Sequence, residues 1–137
     1  MIKKACPIVI SKRNSVNKIL VFRHPLAGIQ LVKGTIEPNE PADAAAIREM
    51  EEESGVIVSI DQYARSLVLE YLNEEWEIFL VKPKKVLPET WKFFTADDGG
   101  REFSFFWMNL DEFFLNEEID ERFKIVVSYL NEKLTLY

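Results

Sequence analysis

Three carboxylates are the first feature of this chain that could do chemistry. Glu49, Glu52 and Glu53 stand at i, i+3 and i+4 in the run REMEEE. On an α-helix that spacing projects all three from one face. Glu51 lies on another side, and Glu40 sits near the expected helix start. Like charges this close destabilise an isolated helix by about 0.2–0.5 kcal/mol per pair. A solvated face would normally intersperse lysines, yet Arg48 is the one basic residue in 34–56. Hard divalent cations want oxygen ligands, and Mg²⁺ takes a few carboxylates while keeping waters for substrate phosphates. Spacing by itself leaves two readings open: a cation site and a solvated acidic face.

The surrounding segment, GTIEPNEPADAAAIREMEEESGV at 34–56, resembles the Nudix box, G-x5-E-x7-R-E-U-x-E-E-x-G-U, with U aliphatic. Gly34, Glu40, Arg48, Glu49, Glu52, Glu53 and Gly55 fill its fixed positions, and Met50 and Val56 fill the apolar ones. Seven specified and two apolar residues at fixed spacing arise by chance roughly once in 10¹⁰ starts. The resemblance implies an α/β Nudix fold, a mixed β-sheet sandwiched between α-helices, as a single domain over residues 1–137. It implies a pyrophosphohydrolase that cleaves the diphosphate linkage of a nucleoside diphosphate derivative. The cofactor would be Mg²⁺ or Mn²⁺, held by Glu49, Glu52 and Glu53 with a backbone carbonyl from Gly34 or Lys33. Arg48 joins these glutamates in the catalytic set by orienting one of them, and Glu52 at i+4 is within its reach. Glu40 would support this network rather than ligate metal. The general base varies across the family, leaving Glu49, Glu53 or a later acid such as Asp97, Asp98 or Glu102. One departure stands out: Glu37-Pro38-Asn39-Glu40 has asparagine where many boxes have glycine. Asparagine tolerates the left-handed conformation, so the turn is expected to survive.

Substrate signals are thinner. Tyr71 lies 16 residues after Gly55, where the dinucleoside-polyphosphate group places a tyrosine. It can stack on a base or serve as one aromatic of a half-buried strand. The proline of the ADP-ribose group has no counterpart between Pro41 and Pro83, and the upstream signature of coenzyme A hydrolases is missing. Dinucleoside polyphosphates therefore stand ahead of nucleoside triphosphates. Arg23 and Lys33 are candidate phosphate contacts. The rival from another class is a non-catalytic Nudix module binding a nucleotide or a partner protein; the complete set of Arg48, Glu49, Glu52 and Glu53 argues against it. Lone His24 and Cys6 have bland readings as a strand-end and a buried strand residue.

These residues need elements to hold them. Pro41 to Ser54 reads as a helix, with alanines inside, Pro41 at its first position and Gly55 stopping it. Ile47 and Met50 mark its buried side. Before it, Ala5–Ser11, Lys18–Phe22 and Ile29–Val32 are β-type runs. After it come strands at Val56–Ile60, Ser66–Tyr71, Ile78–Val81 and Phe103–Met108. Lys82 to Ala96, with two prolines and no clear period, reads as a long loop, and Asp97-Asp98-Gly99-Gly100 as a turn. Ile119, Phe123, Val126, Val127 and Leu130 repeat as one helical face.

Charge and composition close off other classes. The 137 residues carry net charge −6, but residues 1–36 hold seven basic side chains and no acid. The switch falls between Lys33 and Glu37, at the mouth of the box, so the basic front is expected to be one wall of a nucleotide site. An acidic chain is a poor non-specific DNA binder, and no stable nucleic-acid binding is expected. At 47% hydrophobic, 12% aromatic, the chain is globular. No apolar run reaches membrane-spanning length, and the N-terminal apolar run is too short for a signal peptide. A single cysteine suits a reducing compartment, so a cytoplasmic monomer or homodimer is expected.

Overall fold

The apolar runs become strands that are covered on both sides. In the computed structural model, which describes residues 1–96 and 99–134, they form two sheets with helices on either side. One sheet contains β1 (Ile2–Ile8), β5 (Gly34–Thr35), β6 (Val58–Leu69) and β7 (Glu74–Pro83) in the order β5-β1-β7-β6. Only β1 and β7 pair in parallel there. The antiparallel second sheet runs β2 (Ile10–Arg13), β3 (Val16–His24), β9 (Arg101–Asn109), β8 (Trp91–Thr95), with β4 (Gly28–Gln30) also on β3. Helix α1 (Ala42–Ser54) covers one face; α2 (Leu110–Leu115) and α3 (Glu121–Leu134) cover the other.

Alternation along the strands feeds both cores. In β3, Leu20 and Phe22 join the layer beneath α1 with Met50, Val56 and Phe103. Their neighbours Ile19 and Val21 join the layer under α3 with Trp76, Phe123 and Val126. Strands buried on both faces read as continuous apolar runs rather than alternating ones. Every residue of the expected helical face from Ile119 to Leu130 is buried, although Ile119 precedes α3 and bridges to Ile29.

Several expectations need correction. The expected mixed β-structure between helices is present, its strands divided between two sheets, and the first expected run is interrupted at Val9. There the chain passes from β1 to β2, and the Val9 carbonyl accepts a hydrogen bond from the Leu20 amide at 3.0 Å. The two strands expected at 56–60 and 66–71 are one strand, β6, whose polar middle holds register shifts at Ile60/Gln62 and Tyr63/Arg65. Irregularities of this kind obscure a period-2 pattern. The expected loop at 82–96 contains β8, which among the described residues pairs with β9 alone. Helix α2 had no sequence signal, and Pro41 is the residue before α1 rather than its first turn. Asp97 and Asp98 of the expected turn lie outside the described residues, while Gly99 and Gly100 both take positive φ. Among the described residues no helix is long and apolar enough to cross a membrane.

Candidate active site

A type II turn launches the acidic helix. Pro38 and Asn39 occupy its centre, Asn39 adopts φ +65°, and the Glu40 amide donates to the Glu37 carbonyl at 3.1 Å. Asparagine thus takes the left-handed position expected of it. The Glu40 carboxylate then turns back, accepting the Glu37 amide at 3.0 Å. At the other end Gly55, at φ +76°, closes α1 by donating to the Glu51 carbonyl. A side chain there would strike the ring of Phe93 at 2.7 Å.

Arg48 is the hub of the acidic face. Its guanidinium holds Glu40 with two hydrogen bonds, at 2.7 and 2.8 Å, in the bidentate geometry that suits arginine and carboxylate. It also donates to Glu49 at 2.8 Å, to Glu52 at 3.1 Å and to the Thr35 carbonyl at 3.1 Å. The hydrogen bond from Arg48 holds the Glu40 carboxyl down at about 2, well below the usual carboxylate range. Helix and entry loop are thereby locked together through one side chain.

Gly34 has a different reason to be glycine. A Cβ built there would lie 1.9 Å from the Glu49 carboxyl carbon. The bare backbone lets that carboxylate press against the entry strand, and Glu49 is only 7% exposed. The chain therefore brings a helix carboxylate and the box glycine into one corner.

That corner opens into a cavity of about 610 Å³, shared by Gly34, Glu49, Glu53, Lys33, Arg101 and Arg122. Phe22, His24 and Phe103 form its aromatic end; Phe22 and Phe103 are stacked at 4.3 Å, and His24 meets Phe103 at 5.3 Å. Burial pushes the Lys33 amine below the ordinary lysine value; Lys4 and Arg122 push it the same way, and Glu53 opposes them. Cys6 lies beneath, and burial drives its thiol up to about 12, which suits a packed side chain and not a nucleophile.

The residues singled out from sequence are only partly gathered here. Glu49, Glu53, Lys33 and Gly34 line the cavity, whereas Arg48 and Glu52 border a neighbouring groove with Gly55 and Phe93. Arg23 is on the opposite face of β3, paired with Glu118 and lying over the ring of Phe106 at 6.0 Å. Tyr71 is 66% exposed on a 3₁₀ turn at 70–72, near Asp120, Glu121 and Arg122 but outside the cavity lining. Glu102 meets Lys92 at 3.8 Å and does not line the cavity. Asp97 and Asp98 lie outside the described residues. Sequence reading missed Arg101 and Arg122. Arg101 follows the Gly99-Gly100 pair, which is a local hint, but nothing local marks Arg122 in the first turn of α3.

The donor set suits a hard cation: carboxylates from one helix beside a backbone that only glycine permits, with cations opposite. Among the described residues, no three acidic, histidine or cysteine side chains converge into a ready cation cage. One Arg48 nitrogen holds both the Glu49 and the Glu52 carboxylates.

The NUDIX domain family model matches residues 3–129. Solved structures with this fold include the C. elegans Ap4A hydrolase, at 17% identity, TM-score 0.69 and 98% coverage of each chain. A MutT from a study of Aliivibrio salmonicida and Vibrio cholerae has 19% identity and TM-score 0.67, covering 93% of this chain and 94% of the other. A NUDIX hydrolase from Nitrosomonas europaea has 20% identity and TM-score 0.61, covering 81% of this chain. The chain spans 58% of that protein's length. No curated protein matches the sequence.

Proposed function

Because this chain belongs to the NUDIX family and is an enzyme acting on pyrophosphate bonds, we propose that it is a divalent-metal-dependent pyrophosphohydrolase of nucleotide-type substrates. In this reading residues 1–137 work as one domain, in the reducing cytoplasm that a buried, free Cys6 suits. One observation carries it: Glu49, Glu53 and Gly34 share a cavity with Lys33, Arg101 and Arg122. Carboxylates alone would repel a diphosphate, and cations alone would bind it without activating it.

Glu49, Glu52 and Glu53, with the Gly34 carbonyl, would hold Mg²⁺ or Mn²⁺. Bound there, the metal supplies charge neutralisation on the diphosphate oxygens and makes a water more acidic. The protein's own residues do the rest. Arg48 fixes the rotamers of Glu49 and Glu52, Lys33, Arg101 and Arg122 take the outer phosphates, and the Phe22–Phe103 end offers a surface for a base. Proton acceptance from the attacking water falls to Glu49 or Glu53, the acids lining the cavity. Three cations in one cavity suit a chain longer than a diphosphate. Together with the likeness to an Ap4A hydrolase, this supports dinucleoside polyphosphates ahead of nucleoside triphosphates.

A panel of nucleoside diphosphate derivatives with Mg²⁺ or Mn²⁺ tests the reading, comparing the native protein with Glu52→Gln and Glu53→Gln. Metal-dependent phosphate release that both substitutions abolish is the expected result. Turnover that survives both would sink the assignment. No turnover of any substrate, with nucleotide binding retained, would favour a non-catalytic module instead.

A further inference from the structure

The end of β3 away from the cavity carries a feature that the hydrolytic reading does not use. The β2–β3 hairpin brings Lys12, Arg13 and Lys18 beside Lys82, near the end of β7, and Lys84 and Lys85 just beyond it. Two grooves, of about 540 and 490 Å³, run along this surface and share Arg13 and Trp107 as borders. Among the described residues that line them Glu89 is the one acid, and Asp61 meets Lys82 at 4.0 Å. So six cations face little compensating charge in a chain of net −6.

The frame of the grooves is built. Arg13 donates to the Leu87 carbonyl at 2.8 Å and lies over the Trp107 ring at 4.1 Å. The Trp107 indole donates to the Pro88 carbonyl at 3.1 Å. These bonds tie the hairpin, the 84–90 segment and β9 into one edge. Val86, 98% exposed, adds an apolar contact at the rim. Lys18 lies six positions along β3 from His24 at the cavity, a span of about 20 Å at strand rise. A small substrate in the cavity therefore leaves these grooves open.

We propose that this edge binds single-stranded nucleic acid. The phosphate backbone would run between the hairpin and the 82–85 lysines, with a base resting on the Arg13 guanidinium that covers Trp107 or on Val86. A basic groove interleaved with aromatic and apolar surface is how sequence-tolerant single-strand binders work. Charge alone would serve any polyanion; the aromatic border and the apolar rim favour a ligand with bases. The expectation of no stable nucleic-acid binding followed from the charge of the whole chain, whereas binding responds to the local field.

Fluorescence anisotropy with a 15-nucleotide single strand, over a salt series, tests this. The native chain should bind with log K falling about 0.7 per phosphate contact for each unit of log salt. Lys84→Glu combined with Lys85→Glu, both on an exposed segment, should weaken binding at least tenfold and leave hydrolysis of small nucleotides unchanged. Arg122→Ala, in the cavity, should leave oligonucleotide binding intact. Equal affinity for inorganic polyphosphate or a poly-glutamate peptide would overturn the assignment in favour of plain charge attraction. Binding lost in Arg122→Ala instead would overturn it too, by moving the ligand to the cavity, as would the absence of oligonucleotide binding.

Discussion

The two ends of β3 handle charge in opposite ways. At the His24 end, cations and carboxylates are interleaved: Glu49 and Glu53 share a cavity with Lys33, Arg101 and Arg122. At the Lys18 end, six cations line grooves with one acid among the described lining residues. Opposite charges at close range largely cancel at a distance, so the first end acts on what lies inside it. Uncompensated charge reaches about a Debye length, roughly 8 Å at physiological salt, so the second end acts on polyanions outside it. The difference teaches that net charge says little about either end. What matters is whether the fold puts opposite charges in the same place.

Breaking the cavity should have the largest effect. Glu53→Gln or Glu49→Gln is expected to lower kcat/KM by on the order of 10²–10³-fold, the scale of several kcal/mol of transition-state charge stabilisation. Steady-state rates with Mg²⁺ would show it, and an unaltered rate would separate these acids from the chemistry. Gly34→Ala comes next. Its methyl must push the Glu49 carboxylate off the entry strand, and a displacement near 1 Å costs about 10²-fold in rate. Activity that survives would mean that Glu49 relaxes freely. A third substitution sharpens the comparison within β3 itself. Arg122→Ala should raise KM about tenfold with kcat unchanged, the signature of lost uniform binding. Arg23→Ala, on the opposite face with Glu118, should change neither constant more than about twofold.

The smallest effect concerns pH. The Glu40 carboxyl is held at about 2 in the folded chain against an ordinary 4.5. A carboxyl made more acidic by folding takes up a proton on unfolding. Its contribution is therefore complete above pH 4.5 and lost as the pH falls from there towards 2. Acid unfolding followed by circular dichroism should lose its dependence on this window in Glu40→Gln, with activity near neutrality much less affected than by the cavity substitutions. An unchanged acid transition would remove Glu40 from the lock between turn and helix.

The legible parts of this chain are local ones. Helix α1, its glycine stop, the left-handed Asn39 and the Arg48–Glu52 contact all follow from spacings of at most a few residues. The buried face of α3 was equally plain, because its apolar repeat has the helical period. What stayed hidden depends on pairing. Strand β8 is short and shows its nature only against β9, and β6 hides its continuity behind bulges with polar side chains. The division of the strands between two sheets was hidden for the same reason, since it shows only in which strands pair.

The candidate site divides along that line. Its anionic half was written in 23 consecutive residues, because one helix and its entry turn place those side chains and helix geometry is set by the backbone. Of the cations, only Lys33 adjoins the box; Arg101 and Arg122 come from β9 and α3, far along the chain. The sequence by itself determined that Glu49 and Glu53 project together from α1 and that Lys33 adjoins them, whereas Glu52 borders a neighbouring groove and the rest of the basic front lies outside the cavity. The tertiary structure alone decided which basic residues face those acids. It turned Arg23 away and brought Arg122 in, because the face a strand residue presents, and the side on which a helix packs, are set by long-range pairing and core burial.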